Sequence, residues 1–147
     1  MEHDSEPLDD PAGDLAEGFR VRREVLGDAH VDRATAAATP FSEPFQRFIT
    51  EVAWGKVWTR PELDRRTRSC LTLAILATLR AEDELALHVR AAVTNGLTPD
   101  EIREVLLHTA VYAGVPAANT AIAIAQRALA ELGALGDDGA SDTEGHR

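Results

Sequence analysis

The chain has 147 residues, with 25 acidic and 15 basic side chains and a formal net charge of −10 at pH 7. This length supports one domain whose core needs no disulfide or metal ion for stability. The negative charge argues against nucleic acid as the main partner, because phosphate binding needs a basic face. No apolar run approaches the roughly 18 residues of a membrane-spanning helix.

The cysteine content and the first residues predict a cytoplasmic protein. Cys70 is the only cysteine, so neither an intrachain disulfide nor a Cys-x-x-Cys redox pair can form. The residues from Met1 to Asp4 are polar or acidic, apart from the initiator methionine, and no apolar stretch typical of a secretory leader follows them. We therefore expect the protein in the cytoplasm.

Both ends of the chain are predicted to be disordered. Residues 1–13 are rich in Asp, Glu and Pro, and residues 136–147 lack large apolar side chains. Neither segment can bury enough surface to offset the entropy of ordering. The predicted domain therefore covers residues 14–135.

Seven helices are predicted between the tails, and no segment shows the alternation of a strand, so the fold class is all-α. Gly27 ends the first helix and Asp28 caps the second. The sixth has the clearest start, because Thr98, Pro99 and Glu101 form a capping-box sequence. In chain order the predicted helices cover residues 14–26, 29–38, 42–55, 64–79, 82–95, 98 onward and 116–132.

Two of these helices have unusually broad apolar surfaces. Residues 71–79 of the fourth are apolar nearly all round, which predicts a central buried helix. The last helix is rich in alanine, and Ile122, Ile124, Leu129 and Leu132 cover more than one narrow stripe. A surface helix of a small monomer needs only one buried face, so this excess favours contacts between subunits.

Tryptophan and arginine are concentrated in residues 54–68. The residues concerned are Trp54, Trp58, Arg60, Arg65, Arg66 and Arg68. Planar guanidinium groups beside indole rings are suited to holding a small anion, above all a carboxylate. The alternative is a solvated, charged helix end next to two tryptophans of the core.

Five segments of the chain resemble the carboxymuconolactone decarboxylase family. The likeness covers roughly residues 15–132, in order and without a large gap, which makes it specific. It implies the all-α fold of the alkylhydroperoxidase D-like proteins and a homohexamer, arranged as a trimer of dimers. The segments are LGDAHVDRA (26–34), WGKVWTRP (54–61), LDRRTRSCLTLAILATL (63–79), ELALHVRAAVTNGLTPDEI (84–102) and YAGVPAANTA (112–121).

The resemblance implies a reaction on a small dicarboxylate lactone. 4-Carboxymuconolactone loses carbon dioxide to give 3-oxoadipate enol-lactone, in protocatechuate catabolism by the β-ketoadipate pathway. The substrate ring accepts the electrons of the broken bond, so no metal or other cofactor is expected. The protein must supply a cation for the acetate arm, donors for the developing oxyanion and an acid to protonate carbon.

The matching segments contain residues for each of these tasks. Glu84 and His88 share one helix face at a spacing of four, so the carboxylate could orient the imidazole and raise its pKa. The alternative is an ordinary exposed pair. His108 is expected to be a core histidine whose ring nitrogens form hydrogen bonds within the protein. The expected catalytic residues are His88, Glu51, Glu84 and Arg68, and the expected substrate-binding residues are Arg60, Trp54, Trp58 and Tyr112.

Two other functions compete with this one. Peroxidases of the same fold use Cys-x-x-Cys-x-x-x-His, and aligning their histidine on His88 puts Ala81 and Glu84 in place of the two cysteines. The missing thiols argue against that chemistry. A non-enzymatic helical assembly module would explain the broad apolar helices, but it would leave the tryptophan–arginine segment and His88 without a role.

Overall fold

The computed structural model describes residues 10–136, and every regular element in this part of the chain is helical. The all-α prediction is therefore confirmed, with seven α-helices and one π-helical segment. Of the disordered tails predicted at 1–13 and 136–147, residues 1–9 and 137–147 lie outside the described residues, while residues 11–13 belong to α1. The elements are α1 (Pro11–Leu26), α2 (Asp28–Ala37), α3 (Glu43–Ile49), the π-helical segment (Thr50–Val57), α4 (Arg65–Leu79), α5 (Glu82–Thr94), α6 (Pro99–Ala113) and α7 (Val115–Glu131).

The chain forms two compact units, an N-terminal unit within residues 1–69 and a C-terminal unit within residues 70–147. The division falls inside α4, so the first turn of this helix belongs to the N-terminal unit. Each unit is described by itself below. The single domain expected over residues 14–135 stays a prediction.

In the N-terminal unit, α1 packs against the π-helical segment, while α2 packs against α1 and α3 packs against the π-helical segment. Glycine permits the closest of these contacts. A Cβ atom on Gly18 would collide with the carbonyl group of Thr50, and one on Gly55 would collide with the carbonyl group of Asp14. The two backbones therefore touch directly, and Val21 and Trp54 are buried in this unit.

The single α-helix predicted over residues 42–55 is wrong in two respects, because its second half has the hydrogen-bond register of a π-helix and extends two residues further. It is divided into α3 and the π-helical segment, which continues to Val57. The Trp58 N–H donates to the Ala53 carbonyl at 2.9 Å, a bond between residues five apart. The Thr50 hydroxyl donates to the Gln46 carbonyl at 2.7 Å and so competes for the carbonyl of the preceding turn.

The starts of α1 and α2 also differ from the prediction. α1 begins at Pro11 rather than Asp14, because the Asp10 carboxylate accepts a hydrogen bond from the Gly13 N–H at 3.1 Å. The cap assigned to Asp28 is wrong, since Gly27 occupies the cap position with φ 88°. The Asp28 carboxylate accepts a hydrogen bond from Arg23 instead.

The C-terminal unit is built by packing α5 and α6 against α7. The predicted capping box of α6 is confirmed, because Thr98 Oγ1 accepts from the Glu101 N–H and Glu101 Oε1 accepts from the Thr98 N–H, both at 3.1 Å. The alanine face of α7 contributes to the core of this unit. The most buried residues of that core are Leu73, Leu85, Val89, Ala92, Ile102, Leu106 and Ala121.

α4 is not buried all round, contrary to the prediction. In the chain described here Leu73 and Ala77 are buried, but Leu71, Ile75 and Leu79 are 49%, 56% and 70% exposed. The helix thus has one buried face and one exposed apolar face. No helix of the described residues is both long and apolar enough to cross a bilayer.

We expect Gly18→Ala to destabilise the N-terminal unit. In an exposed helix this substitution stabilises by about 1 kcal/mol, but here the new methyl group meets the backbone of Thr50, which cannot rotate away. A cost of about 1–3 kcal/mol is expected. Urea unfolding followed by tryptophan fluorescence measures it, because both tryptophans, Trp54 and Trp58, lie in this unit.

The control is Gly136→Ala, since no atom lies within 4 Å of a Cβ built at that position. This variant should unfold within about 0.5 kcal/mol of the wild type. A Gly18→Ala variant that is as stable as the wild type, or more so, would show that α1 and the π-helical segment are not in direct backbone contact.

Candidate functional site

The structure places the predicted site residues in two groups. Arg60, Arg68, Glu51 and both tryptophans belong to the N-terminal unit, and the residues Glu84, His88 and Tyr112 belong to the C-terminal unit. The geometry of each group is defined within its own unit.

The two tryptophans form a stacked pair. The ring centroids of Trp54 and Trp58 are 5.0 Å apart and the ring planes are inclined by 30°. Trp54 is only 6% exposed, so it is a core residue of its unit. Trp58 is half-buried at the end of the π-helical segment and presents the accessible indole of the pair.

Arg68 is the half-buried cation of the N-terminal group. Its Nη2 donates to the Arg60 carbonyl at 3.2 Å, which joins the first turn of α4 to the preceding loop. That turn is capped, because the Thr67 N–H donates to the Asp64 carboxylate at 2.7 Å. This bond lowers the pKa of the Asp64 carboxyl group. The guanidinium of Arg68 is therefore carried on a well-anchored helix start.

The neighbouring arginines are more exposed or already paired. The Arg60 side chain is 62% exposed, and its Nε lies 3.8 Å from a carboxylate oxygen of Glu62. Arg65 Nη2 lies 2.6 Å from the carboxylate of Glu24 on α1, and this hydrogen bond lowers the pKa of Glu24. Arg65 thus belongs to a surface ion pair, whereas Arg68 is half-buried and bonds to a backbone carbonyl.

Glu51 lies in the first turn of the π-helical segment and is half-buried. It precedes Trp54 by three residues, so it belongs to the element that carries the stacked tryptophans. The N-terminal unit therefore holds a carboxylate, two indoles and two arginines within one stretch of chain. Guanidinium groups and indole rings are residue types suited to a planar, carboxylate-bearing molecule.

In the C-terminal unit, His88 and Glu84 lie one turn apart on α5. His88 is half-buried between the buried residues Leu85 and Val89, whereas Glu84 is exposed. The side chain of Glu84 forms no hydrogen bond or ion pair within residues 10–136. Its part in orienting His88 therefore stays a prediction.

Tyr112 is near the end of α6 and is 79% exposed. Its ring centroid lies 4.8 Å from that of His108, one turn earlier on the helix. The interpretation of His108 as a core histidine is wrong, because its side chain is exposed. The hydroxyl of Tyr112 is accessible to a ligand or to another molecule.

Sequence reasoning missed a buried arginine. Arg22 on α1 is 5% exposed, and it donates to Thr50 Oγ1 at 3.0 Å and to Gln46 Oε1 at 3.1 Å. The signal was present in the sequence, since Arg22 lies at helical spacing among the buried residues Gly18, Val21 and Val25. An arginine on the apolar face of a helix indicates a specific polar contact.

Comparison with known proteins identifies the family. The model of the carboxymuconolactone decarboxylase family matches residues 43–127, which include every predicted site residue. The chain belongs to the carboxymuconolactone decarboxylase family. The family resemblance stated from the sequence is thereby confirmed, and α1 and α2 lie outside the matched residues.

Two relatives have the same level of identity to this chain. The 4-carboxymuconolactone decarboxylase of Acinetobacter baylyi is 48% identical over 117 residues, or 80% of this chain and 87% of the relative. The nitrosuccinic acid decarboxylase of Metarhizium robertsii is 48% identical over 116 residues, or 79% of this chain and 81% of the relative. Both relatives are named as decarboxylases, but they are named for different acids.

Proposed function

We propose that this member of the family converts 4-carboxymuconolactone to 3-oxoadipate enol-lactone and carbon dioxide. The observation that carries the proposal is the 48% identity to the Acinetobacter baylyi decarboxylase over most of both chains. The proposed setting is protocatechuate catabolism by the β-ketoadipate pathway in the cytoplasm. A chain with a single cysteine suits that compartment.

The chemistry of the substrate defines what the protein must do. The γ-carbon of the butenolide carries both a carboxylate and an acetate arm. When the carboxylate leaves as carbon dioxide, its electron pair passes through the ring double bond to the lactone carbonyl oxygen. The enolate is then protonated at the α-carbon. The protein supplies a cation for the acetate arm, donors for the oxyanion and the proton.

Arg68 is the proposed anchor for the acetate arm. It is half-buried, so its attraction for a carboxylate is screened less by water than that of an exposed arginine. Arg60 follows Trp58 closely in the chain and supplies a second, exposed cation. Trp58, which stacks on the buried Trp54, offers a flat apolar surface for the butenolide ring.

His88 is the proposed acid. It is half-buried on α5 and belongs to the residue type that most often transfers protons near neutral pH. Glu84 and Glu51 are the carboxylates proposed to adjust its protonation, and Tyr112 is a proposed donor to the substrate. Arg68, His88, Glu51 and Glu84 thus form the proposed catalytic set.

Nitrosuccinic acid is the second candidate substrate. The relative named for it shares as many residues with this chain as the carboxymuconolactone enzyme does. The chemistry is parallel, since a nitro group beside the departing carboxylate accepts the electron pair as a nitronate. Both compounds are dicarboxylic acids that carry their own electron acceptor.

Turnover of the two acids by the purified protein tests the proposal. We expect carbon dioxide release from enzymatically generated 4-carboxymuconolactone, with a kcat/KM above that for nitrosuccinate. The reverse ranking would assign the second function. Thiol-dependent consumption of peroxide without decarboxylation of either acid would support the peroxidase alternative.

We propose a homohexamer, and we expect light scattering to give a mass of about 95 kDa, six times the 15.9 kDa of the chain. The support is the exposed apolar surface of the C-terminal unit, where Ile75, Leu79 and Val111 are 56%, 70% and 77% exposed. Surfaces of this kind are typical of subunit interfaces. A mass near 16 kDa at micromolar concentration would refute the assembly.

We expect Arg68→Ala to lower kcat/KM by about 30- to several-thousand-fold, since a desolvated charge pair contributes on the order of 2–5 kcal/mol. Arg68→Lys should recover only part of the activity, because an ammonium group cannot form the two parallel hydrogen bonds of a guanidinium. Arg20→Ala is the matched control, because Arg20 is an exposed arginine of the same unit that pairs with Glu17 and Glu24.

Circular dichroism separates loss of binding from loss of structure, since Arg68 also holds the Arg60 carbonyl. If Arg68→Ala and Arg60→Ala both retain wild-type kinetics, the arginine cluster serves as surface charge and the proposed anchor is wrong.

We expect His88→Gln to lower kcat by about 10²–10⁴-fold while the protein stays folded and assembled. Glutamine keeps a hydrogen-bond donor but has no proton to give near neutrality. In the wild type, activity should fall as rising pH removes the proton from the imidazolium. A near-normal kcat with an unchanged pH profile would make His88 structural, and Glu51 would then be the next residue to test.

A further inference from the structure

Arg22 is a buried cation with neutral partners. Its Nη1 and Nη2 donate to the hydroxyl of Thr50 and the side-chain carbonyl of Gln46. Its Nε is buried and has no hydrogen-bond partner among residues 10–136. Arginine stays protonated in proteins, so a full positive charge is held here by two hydrogen bonds to neutral oxygens.

The other arginines of α1 show the contrast. Arg20 forms ion pairs with Glu17 and Glu24, and Arg23 pairs with Asp28 and Asp32. These exposed pairs contribute little to stability, because water already solvates the charges. Arg22 is the buried arginine of α1, where a carboxylate partner would offset the largest desolvation cost, yet it pairs with none of the described carboxylates.

The surroundings of Arg22 are positive. Burial lowers the pKa of His30, and the charges of Arg22 and Arg33 lower it further. Burial also lowers the pKa of Arg22 itself. Burial and nearby positive charge both disfavour the protonated form of a base. The lowered pKa values of His30 and Arg22 therefore agree with a buried positive charge that no carboxylate balances.

Arg22 lines a cavity of about 140 Å³ in the N-terminal unit. Leu15, Phe19 and Ala38 supply apolar walls, and Gln46 and Arg47 supply further polar groups. At about 30 Å³ for each water molecule in the liquid, this volume holds four or five waters, or an organic anion of about six non-hydrogen atoms.

Glu43 is the one carboxylate that lines this cavity. It is exposed, and it forms no ion pair with Arg22 or with any other described residue. It therefore leaves the charge of Arg22 uncompensated.

We propose that this cavity binds a small aliphatic carboxylate, which pairs with the guanidinium group of Arg22 while its carbon chain contacts Phe19 and Leu15. The apolar walls favour an organic anion over an inorganic one. None of the residues involved has a part in the proposed decarboxylation. The site is therefore an additional ligand site of the chain.

The test is a titration of arginine-¹⁵N-labelled full-length protein with sodium butyrate, with sodium chloride and sodium sulfate at equal ionic strength. We expect a saturable shift of the Arg22 Nε–H resonance with butyrate, at millimolar concentrations for so small a ligand. The resonance is assigned by its loss in Arg22→Met, or in Arg22→Lys if the first variant does not fold.

Thermal unfolding gives a second measurement. Butyrate at ten times its Kd should raise the Tm of the wild type and of Arg20→Met, the matched exposed control, but not that of Arg22→Met. Glu43→Gln should bind butyrate more tightly, since it removes the negative charge beside the cavity.

Three results would overturn the proposal. They are a shift that does not saturate, an equal response to chloride or sulfate, and a response confined to the Arg68 resonance. The last would place the carboxylate at the proposed substrate anchor instead. No turnover is measured, so failure here is separate from failure of the decarboxylase assay.

Discussion

The direct contact between α1 and the π-helical segment fixes the geometry of the N-terminal unit. Gly18 and Gly55 have no side chains, and this lets the backbone of one helix touch the backbone of the other. Glu51 and Trp54 lie in the π-helical segment, and Trp58 follows it directly. Arg22 lies on α1 and donates hydrogen bonds to Thr50 and Gln46. A shift of this contact would move the carboxylate, the indoles and the buried guanidinium together. π-Helical turns are costly and occur often at functional sites, which agrees with the chemistry proposed for this segment.

The arginines of this acidic chain serve three different purposes according to their burial. Exposed ones such as Arg20 pair with neighbouring glutamates and contribute mainly to solubility and surface charge. Arg68 is half-buried, and one of its donors holds a backbone carbonyl. Arg22 is almost fully buried and bonds to neutral oxygens. An anion gains most from a cation that is desolvated and already fixed in position. Arg22 and Arg68, which are buried and half-buried, are therefore the two arginines that we consider for ligand binding.

Sequence reasoning succeeded where the determining interactions are local. The capping box of Thr98 and Glu101 needs only residues three apart, and the glycine that follows α1 ends that helix within one turn. Sequence reasoning failed where contacts between residues far apart in the chain determine the structure. The apolar spacing of residues 42–55 indicates a helix but not its π register. The composition of α4 does not say which of its apolar faces finds a partner within the chain. The tryptophan–arginine cluster was predicted as a group, yet only the structure separates Trp54, a core residue, from Trp58, which stays accessible.

The decarboxylations of carboxymuconolactone and of nitrosuccinic acid have one requirement in common, which explains how one family can act on both acids. In each substrate the group that accepts the electron pair is part of the molecule, a lactone carbonyl in one and a nitro group in the other. The protein then needs no electron sink of its own, and a cation together with a proton donor suffices. Arg68 and His88 could remain unchanged between such enzymes. Discrimination must then come from the shape around the acceptor group, since a planar ring and an open-chain acid place it at different distances from the anchored carboxylate. Trp58 presents an accessible flat surface in the same unit as Arg68. A flat indole favours the ring over the open chain, so the role proposed for Trp58 agrees with carboxymuconolactone as the proposed substrate.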